Sequence, residues 1–564
     1  RNDTVSELLK PHHRTRPQPR GRRAGPETRA RLDTVLGGMP RRRDRLIEHL
    51  HRIQDSLGHL PADLLTALAE ALSLAVAEVY EVASFYHHFD PVREDGHPPQ
   101  AVTVRVCDSI TCALAGAEAL VDRLPARLGP EVRVQRVSCV GRCDAAPVAV
   151  VGRRPLPAAT PAGIANAIKA GEIEDSIPPA EDYDAYRSTG GYGFLQNLAL
   201  QASDERREWV IAEIERSELR GLGGAGFPAG RKWRIVRAQP SPRLMAVNLD
   251  EGEPGTFKDR YHLETRPHRF LEGMLIAANA VGIEAIYVYL RDEYAGCRAL
   301  LERELHRLQA DPPCPIPPIE LRRGAGAYIC GEESAMIESI EGRRGLPRMR
   351  PPYVAERGLF GRPTLVHNLE TLHWVPEILQ RGAHWFLSHG RNGRRGLRTF
   401  SLSGRVNRPG VYVAPAGISA RELIDEYGGG LPAGKRLKAY FPGGASGGIL
   451  PASLEDLPLD FDTLQEHGCF IGSAAVIVLA EGDSVREAAL NAMRFFARES
   501  CGQCTPCRVG CDRAARLMAA PEWDLPSLQD LATVLADASI CGLGQAAPNP
   551  LRCLIRYFPE ELGQ

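Results

Sequence analysis

Hydrophobic periodicity divides the front of the chain into a helical part and a strand-rich part. Between residues 27 and 90, apolar side chains recur three and four positions apart, as in RLIEHLHRIQDSLGHL, which predicts amphipathic helices. Alternating or continuous apolar runs follow in AVTVRVCDS (101–109) and PVAVVG (147–152), and they predict strands with helical segments between them. We therefore expect a helical bundle followed by a small α/β unit that ends near residue 170.

The pattern changes again after residue 177. Residues 205–390 alternate strand-like runs such as LMAVNLD and AIYVYL with helical ones, which predicts a second α/β domain with a mostly parallel sheet. Residues 398–480 are rich in short strands and turns, and from residue 483 the periodicity is helical again. We predict a multidomain α/β protein. Its divisions are a basic arm (1–24), a helical bundle (25–98), a small α/β domain (99–172), a Pro/Gly-rich linker (173–204), a second α/β domain (205–394), a β-grasp-like domain (395–482) and a helical domain (483–564).

Size and composition narrow the class of protein. A chain of 564 residues is too long for one hydrophobic core, and the net charge of −1 gives no reason to expect nucleic acid as a partner. No apolar run approaches the roughly 20 residues of a membrane-spanning helix. The Arg- and Pro-rich arm lacks the apolar centre of a signal peptide, and we interpret it as a solvated tail or as a contact for a partner subunit. We predict a soluble, cytoplasmic protein without direct membrane insertion.

Cysteine usage changes the picture, because 14 cysteines without a secretion signal favour metal or redox chemistry over disulfides. Cys107 and Cys112 have four residues between them, and Cys139 and Cys143 have three. Each pair follows a strand-like segment, so that both pairs can converge at one edge of the same sheet. Four thiolates there can hold a [2Fe–2S] cluster. The alternative is a zinc site, which more often uses cysteines with two residues between them.

A second cysteine cluster lies in RESCGQCTPCRVGC (498–511). Its run Cys501-x2-Cys504-x2-Cys507 followed by one distant thiol fits a [4Fe–4S] cluster better than zinc, which uses two separated pairs. The candidates for the fourth ligand are Cys511, Cys541 and Cys553. We interpret the cysteines without a partner at useful spacing as structural: Cys297, Cys314, Cys330 and Cys469, together with Cys553 where Cys541 is the fourth ligand.

Three glycine-rich or acidic stretches are candidates for a nucleotide site. RGLGGAGFPAGRKW (220–233) contains Gly221-x-Gly223-x-x-Gly226, but a helix-like segment precedes it, whereas a dinucleotide-binding loop follows a strand. Lys232 can neutralise a phosphate, and glycine amides can approach a phosphate or a flavin ring closely. NLDEGEPGT (248–256) and GAGAYICGEESA (324–335) end strands in acidic loops, where open α/β sheets bind ligands. The alternatives are a flexible turn and a solvated acidic rim.

Together these motifs resemble the FMN- and NADH-binding subunit of NADH:quinone oxidoreductase (respiratory complex I). The resemblance is carried by RGLGGAGFPAGRKW, NLDEGEPGTFKDR, GAYICGEESA, RPPYVAERGLFGRPTLVHNLETL and ESCGQCTPCRVG. The segment in front resembles the small iron–sulfur subunit of the same complex. The resemblance implies a thioredoxin-like [2Fe–2S] domain, a Rossmann-like FMN/NAD domain and a C-terminal helical [4Fe–4S] domain. It also selects Cys541 as the fourth ligand of the second cluster.

By this resemblance, individual residues acquire expected roles. NADH would stack on Phe227 and Tyr353. Glu253 and Glu333 would contact its nicotinamide or ribose and are catalytic only in the sense of positioning it. Glu251 would belong to the acidic crevice. FMN would be held by Gly221, Gly223, Gly224, Lys232, Asn248, Asp250, Gly331, Glu332, Asn368 and Thr371.

Four positions depart from the family pattern. Leu222 replaces an arginine, and Arg350 replaces a lysine but keeps its charge. His367 replaces the first asparagine of an Asn-Asn pair, and Ile235 replaces an aromatic residue. These changes concern the fine geometry of nucleotide binding.

The fused front module indicates the subtype. It resembles the diaphorase (β) subunit of NAD-dependent molybdenum or tungsten formate dehydrogenases and the large diaphorase subunit of soluble NAD-reducing [NiFe]-hydrogenases. The hydrogenase form tends to have lost the front cysteines, which are present here, so the formate dehydrogenase form is favoured. A flavin would pass electrons between NAD(H) and one-electron clusters, and a partner iron–sulfur and metal-pterin subunit would act on formate. The alternatives are the hydrogenase diaphorase, a fused complex I subunit and a non-enzymatic electron relay that has lost NAD binding.

The glycine-rich FPGGASGG (441–448) lies in the β-grasp-like segment. Because it lacks a phosphate-binding lysine, we interpret it as part of a spacer between the flavin and cluster domains. The alternative is a ligand site.

Overall fold

The computed structural model describes residues 22–201 and 203–562, so most of the predicted basic arm lies outside the described residues. The predicted multidomain α/β architecture is confirmed. The front domain is a helical bundle with two short paired strands. Helix α2 buries one apolar face and ends at Gly58, whose left-handed conformation (φ 77°) favours glycine. The elements are α1 (Pro26–Leu36), α2 (Leu46–Leu57), β1 (Leu60–Pro61), α3 (Ala62–Ala71), α4 (Val76–Phe85) and β2 (Pro91–Val92).

The second domain is a four-stranded sheet in the order β4-β3-β5-β6. Its central strand β3 is parallel to β4 and antiparallel to β5, and it ends at Cys107. The cysteine pairs therefore follow neighbouring strands at one edge of the sheet. The elements are β3 (Val102–Cys107), α5 (Ile110–Leu114), α6 (Ala117–Leu128), β4 (Val132–Val137), β5 (Ala149–Val151), β6 (Arg154–Leu156) and α7 (Pro161–Lys169).

The segment predicted to be a linker contains two short helices, α8 (Tyr183–Ser188) and α9 (Gly193–Leu200). Tyr183 and Tyr192 are 1% and 0% exposed, and the Tyr192 hydroxyl hydrogen-bonds to Nδ1 of His268 at 2.8 Å. Buried aromatic rings therefore attach this Pro/Gly-rich segment to the following domain. A further helix, α10 (Asp204–Arg216), completes the connection.

The third domain has a four-stranded sheet in the order β10-β7-β8-β9, and its strands are all parallel. Strands β7, β8 and β9 are added in one direction, whereas β10 lies on the other side of β7. The strand order thus reverses between β7 and β10, and such reversals create ligand crevices at the carboxyl ends of strands. The elements are α11 (Ala229–Arg237), β7 (Arg243–Leu249), α12 (Lys258–Thr265), α13 (Pro267–Val281), β8 (Ile283–Leu290), α14 (Ala295–Ala310), β9 (Ile319–Arg323), α15 (Glu333–Ile340), β10 (Thr364–Asn368), α16 (Leu369–Arg381) and α17 (Ala383–Leu387).

The front bundle packs on the loops that follow β8, β9 and α15. Nε2 of His51 is 2.7 Å from the carbonyl oxygen of Gly324, and Nδ1 of His88 is 2.7 Å from a carboxylate oxygen of Asp292. The Tyr86 hydroxyl donates to the carbonyl of Arg343 at 2.7 Å. The bundle therefore supports the loop that carries the GAGAYICGEESA motif.

The fourth domain is a five-stranded sheet in the order β12-β11-β15-β13-β14. Its central pair, β11 and β15, is parallel, and the other pairs are antiparallel. The buried strand AVIVLA supplies much of its core, as a continuous apolar run predicts. The elements are β11 (Leu397–Gly404), β12 (Gly410–Pro415), α18 (Ala420–Glu422), β13 (Leu437–Phe441), β14 (Leu450–Pro451) and β15 (Ala475–Ala480).

The last domain is helical. In the described part of the chain, no helix has both the length and the apolar composition needed to cross a bilayer. Helix α20 begins directly after Cys504, and the short helix α22 begins directly after Cys541. The elements are α19 (Val485–Arg498), α20 (Thr505–Met518), α21 (Leu525–Ala538), α22 (Gly542–Ala546) and α23 (Asn549–Tyr557).

Candidate functional site

A cavity of about 280 Å³ lies at the carboxyl ends of β7 and β10, where the strand order reverses. Many of the residues predicted to bind a cofactor line it, although they come from separate motifs. These residues are Gly223, Gly224, Asn248, Asp250, Glu251, Glu253, Gly331, Glu332 and Asn368. Other predicted residues are not part of its lining, namely Gly221, Phe227, Lys232, Glu333, Arg350, Tyr353 and Thr371.

The glycine loop is held by its own backbone and by one side chain. The N–H of Gly221 donates to the carbonyl of Phe227 at 2.8 Å, and the Thr371 hydroxyl accepts from the N–H of Leu222 at 2.9 Å. A Cβ atom on Gly223 would come within 2.9 Å of Cβ of Asn368. Glycine is therefore needed where the loop passes the end of β10, and Thr371 positions the loop from outside the cavity.

Asp250 presents an orphaned acceptor in the cavity. Its N–H donates to Oδ1 of Asn248 at 2.9 Å, and Nδ2 of Asn248 donates to the carbonyl of Gly331 at 2.9 Å. Its Oδ2 atom is buried and has no hydrogen-bond partner among the described residues. Burial raises the pKa of Asp250 well above its usual range, against the opposing effect of Arg291. Buried polar atoms are nearly always hydrogen-bonded, so this oxygen fits a ligand that brings a donor.

Glu251 lines the cavity, but its carboxylate is hydrogen-bonded to other groups of the protein. Its two oxygens accept from the N–H groups of Asp259 at 2.8 Å and Arg260 at 3.1 Å, both in the first turn of α12. The Tyr294 hydroxyl donates to the same carboxylate at 2.9 Å. Burial, followed by the nearby charge of Asp259, raises the pKa of Glu251 to about 7. Glu251 therefore anchors the acidic loop to α12.

Glu253 connects the cavity to the fourth domain. Its Oε1 accepts from the N–H of Ser446 at 2.7 Å, and the Tyr328 hydroxyl donates to its Oε2. Burial raises the pKa of Glu253. Ser446 belongs to FPGGASGG and lines the cavity. The interpretation of this segment as a spacer is therefore incomplete, because its backbone also forms part of the cavity wall.

Glu332, which lines the cavity, belongs to a charged group with Lys232, Glu333 and Arg350, which lie outside the lining. Glu332 caps α15 by accepting from the N–H of Ala335 at 2.9 Å, and it pairs with Arg350. Glu333 is 3.2 Å from the guanidinium of Arg350 and 3.7 Å from Nζ of Lys232. The positive charge of Arg350 is therefore paired with the carboxylates of Glu332 and Glu333.

The two predicted stacking residues are exposed aromatics. The relative exposures of Phe227 and Tyr353 are 38% and 56%. Arg231 lies over the Phe227 ring, with its guanidinium carbon 5.7 Å from the ring centroid. Both aromatic rings are accessible, as stacking on a bound nucleotide requires.

Several lining residues were missed by the sequence prediction. Lys258 is the most consequential, since it is 1% exposed and pairs with Asp259 at 2.9 Å and Glu370 at 3.0 Å. Burial alone lowers the pKa of Lys258, but these two carboxylates raise it above its usual value. Lys258 and Asp259 lie two and three residues after the NLDEGEPGT motif, within NLDEGEPGTFKDR, which was the available signal. The missed residues are Gly252, Thr256, Lys258, Asp259, Tyr328, Ile329, Ser446, Phe470, Gly472, Ser473, Gly542, Leu543 and Ala546.

Three of these residues form a wall beside a predicted cluster ligand. Gly542, Leu543 and Ala546 belong to α22, and Gly542 directly follows Cys541 in the chain. Cys541, the predicted fourth ligand of the second cysteine set, is therefore the sequence neighbour of a residue that lines the cavity. This proximity would suit electron transfer between a ligand in the cavity and a cluster at Cys541.

The front cysteines converge as predicted from their spacing. All four are buried, the Sγ atoms of Cys139 and Cys143 are 3.3 Å apart, and the Cys107 thiol interacts with the thiols of Cys112 and Cys139. The N–H of Gly141 donates to Sγ of Cys139 at 3.4 Å. Hydrogen bonds from the thiols of Cys107 and Cys143 lower the pKa of Cys139 well below its usual value. Such a set of buried thiols and backbone donors fits a [2Fe–2S] cluster.

The second cysteine set surrounds the start of α20. Cys507 is buried, with its Sγ 3.3 Å from the Ser500 hydroxyl, while Cys501, Cys504 and Cys541 are partly exposed. Burial raises the pKa of Cys541 to about 11. The charges of Cys501 and Cys507 also raise the pKa of Cys541, so these thiols lie near one another. The choice of Cys541 over Cys511 as the fourth ligand stays a prediction.

Of the other two candidates for the fourth ligand, only Cys553 lies away from this set, because Cys511 is close to Cys507. Cys553 lies against Cys469, with 3.5 Å between their sulfur atoms. Cys511 is one helical turn beyond Cys507, and their sulfur atoms are 4.0 Å apart.

Arg498, three residues before Cys501, pairs with a carboxylate that follows β3. Both terminal nitrogens of Arg498 donate to the carboxylate of Asp108, at 3.0 and 2.9 Å. Glu499 accepts from the Ser138 hydroxyl at 2.6 Å and from the N–H of Tyr328 at 3.1 Å. This stretch, directly before Cys501, thus ties the front cluster loop, the cavity and the second cluster loop together.

Two of the four family departures have a clear structural role. The imidazole Nε2 of His367 accepts from the indole N–H of Trp233 at 2.7 Å, and burial lowers the pKa of His367 well below its usual value. Leu222 is 6% exposed and belongs to the core, whereas Ile235 is 37% exposed. His367 and Leu222 therefore support the site from within the fold.

Three family models match different parts of the chain. Residues 32–172 match the thioredoxin-like [2Fe–2S] ferredoxin model, and residues 214–377 match the Nuo51 FMN-binding domain model. Residues 487–564 match the NADH-ubiquinone oxidoreductase-F iron-sulfur binding region. The matches confirm the predicted cofactors, which are FMN, NADH, a [2Fe–2S] cluster and a [4Fe–4S] cluster. The assignment of individual residues to them stays a prediction.

Relatives and solved structures agree with these matches. The chain is 39% identical over 401 residues to the F 2 subunit of NADH-quinone oxidoreductase in Rhizobium meliloti (strain 1021), covering 68% of this chain and 94% of that protein. It is 39% identical over 398 residues to the corresponding F subunit in Aquifex aeolicus (strain VF5), covering 68% and 91%. A chain of NAD+-reducing [NiFe]-hydrogenase in the H2-reduced state superposes with a TM-score of 0.80 at 33% identity, covering 93% and 92%.

Proposed function

We propose that this chain, which belongs to the family of NADH-quinone oxidoreductase F subunits, is the NAD(H)-reacting diaphorase subunit of a multisubunit oxidoreductase. It would move electrons reversibly between NAD(H) and a partner subunit. The observation that carries the proposal is the cavity itself. One part of its lining contains the glycine loop and the orphaned Asp250 oxygen, and another part directly follows Cys541 in the chain.

The residues of the cavity fit FMN. Gly223 allows the backbone to approach a ligand, and Asp250 Oδ2 lacks a donor that a hydroxyl-bearing chain would supply. When bound, FMN exchanges two electrons with NAD(H) and single electrons with iron–sulfur clusters. Lys258 would place a buried positive charge beside it. The exposed rings of Phe227 and Tyr353 would receive NADH, and Glu253 and Glu333 would position its nicotinamide or ribose.

The protein also shields and orders this site. Glu251 ties the acidic loop to α12, and Thr371 ties the glycine loop to α16. Glu499 joins the loops of both cysteine sets to the cavity wall at Tyr328. These contacts would hold donor and acceptors at fixed separations, as electron transfer between bound cofactors requires.

For the partner, we propose the iron–sulfur and molybdenum- or tungsten-pterin subunit of an NAD-dependent formate dehydrogenase. The support is that Cys107, Cys112, Cys139 and Cys143 all converge, since the hydrogenase form of this module tends to have lost them. The second candidate is a soluble NAD-reducing hydrogenase, favoured by the similarity to a hydrogenase chain over 93% of this chain. In either complex, the chemistry on formate or hydrogen would belong to the partner.

The first experiment tests the diaphorase activity. The chain, reconstituted anaerobically with FMN, iron and sulfide, is expected to reduce ferricyanide with NADH. Cys541→Ser is the matched variant, because it would remove a predicted cluster ligand next to the cavity wall and keep the FMN residues. It is expected to lower reduction of a one-electron acceptor that depends on the [4Fe–4S] cluster more than reduction of ferricyanide. An FMN-loaded chain without NADH oxidation would instead be the electron relay.

The second experiment identifies the partner. The complex is purified from its native source through a tag on this chain, and NAD+ reduction is measured with formate and with hydrogen. Formate-dependent reduction together with bound molybdenum or tungsten is the expected result. Hydrogen-dependent reduction with bound nickel would replace the formate proposal with the hydrogenase one.

A further inference from the structure

Two buried thiols outside both cluster sets face each other. The sulfur atoms of Cys469 and Cys553 are 3.5 Å apart, and each residue is 2% exposed. Cys469 lies before β15 in the fourth domain, and Cys553 lies in α23 of the last domain. The pair therefore bridges two domains and has no part in the electron path proposed above.

The surroundings leave the two sulfurs free to approach each other. A Cβ atom on Gly448 would come within 2.6 Å of the Cys469 sulfur and 3.0 Å of the Cys553 sulfur. Glycine at this position, with φ of 83°, therefore keeps a side chain away from the pair. A hydrogen bond from the Cys469 thiol lowers the pKa of Cys553, which favours a thiolate beside a thiol. That is the arrangement from which a disulfide forms.

The position of the pair connects it to both functional regions. One turn before Cys553, Nδ2 of Asn549 donates to the carbonyl of Ser446 at 2.9 Å, and Ser446 lines the cavity. Cys469 and Cys553 are 84 positions apart in the chain. The intervening segment contains all four predicted ligands of the second cluster, which are Cys501, Cys504, Cys507 and Cys541.

We propose that Cys469 and Cys553 form a reversible disulfide when a hydroperoxide oxidises them. With hydrogen peroxide, the Cys553 thiolate attacks one oxygen, forms a sulfenic acid and releases hydroxide, which takes up a proton to give water. The Cys469 thiol then attacks that sulfur, forms the S–S bond and releases a second water. The peroxide gains two electrons and each sulfur loses one.

The bridge would close a long loop around the cluster-binding segment. A cross-link that closes a long loop restricts the opened states of the segment it encloses. Opening of the [4Fe–4S] region, and hence loss of iron, should therefore slow when the disulfide forms. This consequence rests on the proposed ligand set, whereas formation of the disulfide does not.

The test uses the reconstituted full chain. The protein is treated with a limiting amount of hydrogen peroxide, alkylated in denaturant, digested and analysed by mass spectrometry. A peptide that joins Cys469 to Cys553 is expected, and dithiothreitol should abolish it. Cys469→Ser and Cys469→Ala should both lack it, whereas Cys314→Ser, which removes a half-buried thiol elsewhere, should retain it. Recovery of both residues as separately alkylated thiols, or joined to other cysteines, would refute the proposal even if no variant folds.

The consequence is measured separately. Release of cluster iron to a ferrous chelator should be about tenfold slower in the bridged protein than in the reduced protein. Cys469→Ser should show the same rate before and after peroxide. A bridge that leaves iron release unchanged would overturn the protective role but keep the disulfide. Neither assay uses NADH, so failure of the diaphorase proposal would be seen independently in dye reduction.

Discussion

Asp250→Asn tests whether the cavity binds the flavin through a buried carboxylate. The change keeps the size of the side chain and replaces its carboxyl group with an amide. Asp250 Oδ2 is buried without a partner among the described residues, and its N–H and the side chain of Asn248 already hold the loop. The substitution therefore removes an acceptor from the ligand and leaves the loop contacts in place.

The magnitude follows from the kind of hydrogen bond expected. Because burial raises the pKa of Asp250 well above its usual range, the relevant value is that of a hydrogen bond between neutral groups, about 0.5–1.5 kcal/mol. This range corresponds to a loss of FMN affinity of about 2- to 13-fold. The stability of the FMN-free Asp250→Asn variant should be higher than, or equal to, that of the original protein. The pKa of Asp250 is raised in the folded state, so its negative charge opposes folding above that pKa.

Quenching of FMN fluorescence on titration with the FMN-free chain measures the affinity, and urea unfolding measures the stability. Asp456→Asn is the matched control, since this carboxylate is 74% exposed, pairs with Arg421 and lies outside the cavity lining. It should leave FMN affinity unchanged. If Asp250→Asn bound FMN as tightly as the original protein, the orphaned oxygen would not face the ligand and the reasoning would be refuted. A loss of affinity that paralleled a loss of stability would refute it as well.

Three further predictions concern stability. Lys258→Met should destabilise the FMN-free protein by about 3–5 kcal/mol in urea unfolding, because Glu370 stays buried without its charge partner; the double change with Glu370→Gln should recover much of this, and a single variant as stable as the original would contradict it. His367→Ala should cost about 1–3 kcal/mol by leaving the Trp233 indole N–H unpaired, whereas His367→Gln, which restores an acceptor, should cost less. The pKa of Glu251 is raised from 4.5 to about 7, so its stabilising contribution is fully present below pH 4.5 and is lost as pH rises through about 7. Glu251→Gln should therefore flatten the fall in thermal stability across this window, and an equally steep profile would argue against the shift.

The order of elements was predictable where the chain has strong local periodicity. The apolar face of α2 and the continuous run of β15 each contain the signal in a few consecutive residues. The acidic loops could be placed in one crevice because both follow strands of a parallel sheet. What the pattern could not show was the direction of individual carboxylates. Glu251 belongs to the predicted motif, yet its oxygens accept hydrogen bonds from the first turn of α12 and are not directed at a ligand.

Lys258 shows a second kind of limit. A lysine beside an aspartate is typical of a solvated surface, and composition gives no reason to bury it. It is buried because Glu370, more than a hundred positions away, supplies a second carboxylate at 3.0 Å. Long-range charge pairing of this kind leaves no mark on local periodicity. The pairing of Lys258 with Glu370 can be recognised only once the packing of α12 against α16 is known.

The FPGGASGG segment shows why the cavity could not be completed from side-chain patterns. Its main contribution is the N–H of Ser446, which binds Glu253, and a backbone donor is present at every residue except proline. The side chain of Asn549 in turn donates to the carbonyl of Ser446. The same peptide stretch therefore joins the acidic loop that contains Glu253 to α23. Helix α22, which begins with Gly542 of the cavity wall, packs on the same stretch. The position of Cys541 beside the cavity wall is thus a property of how three domains meet, and Asn549 contributes to it although it is part of neither predicted motif.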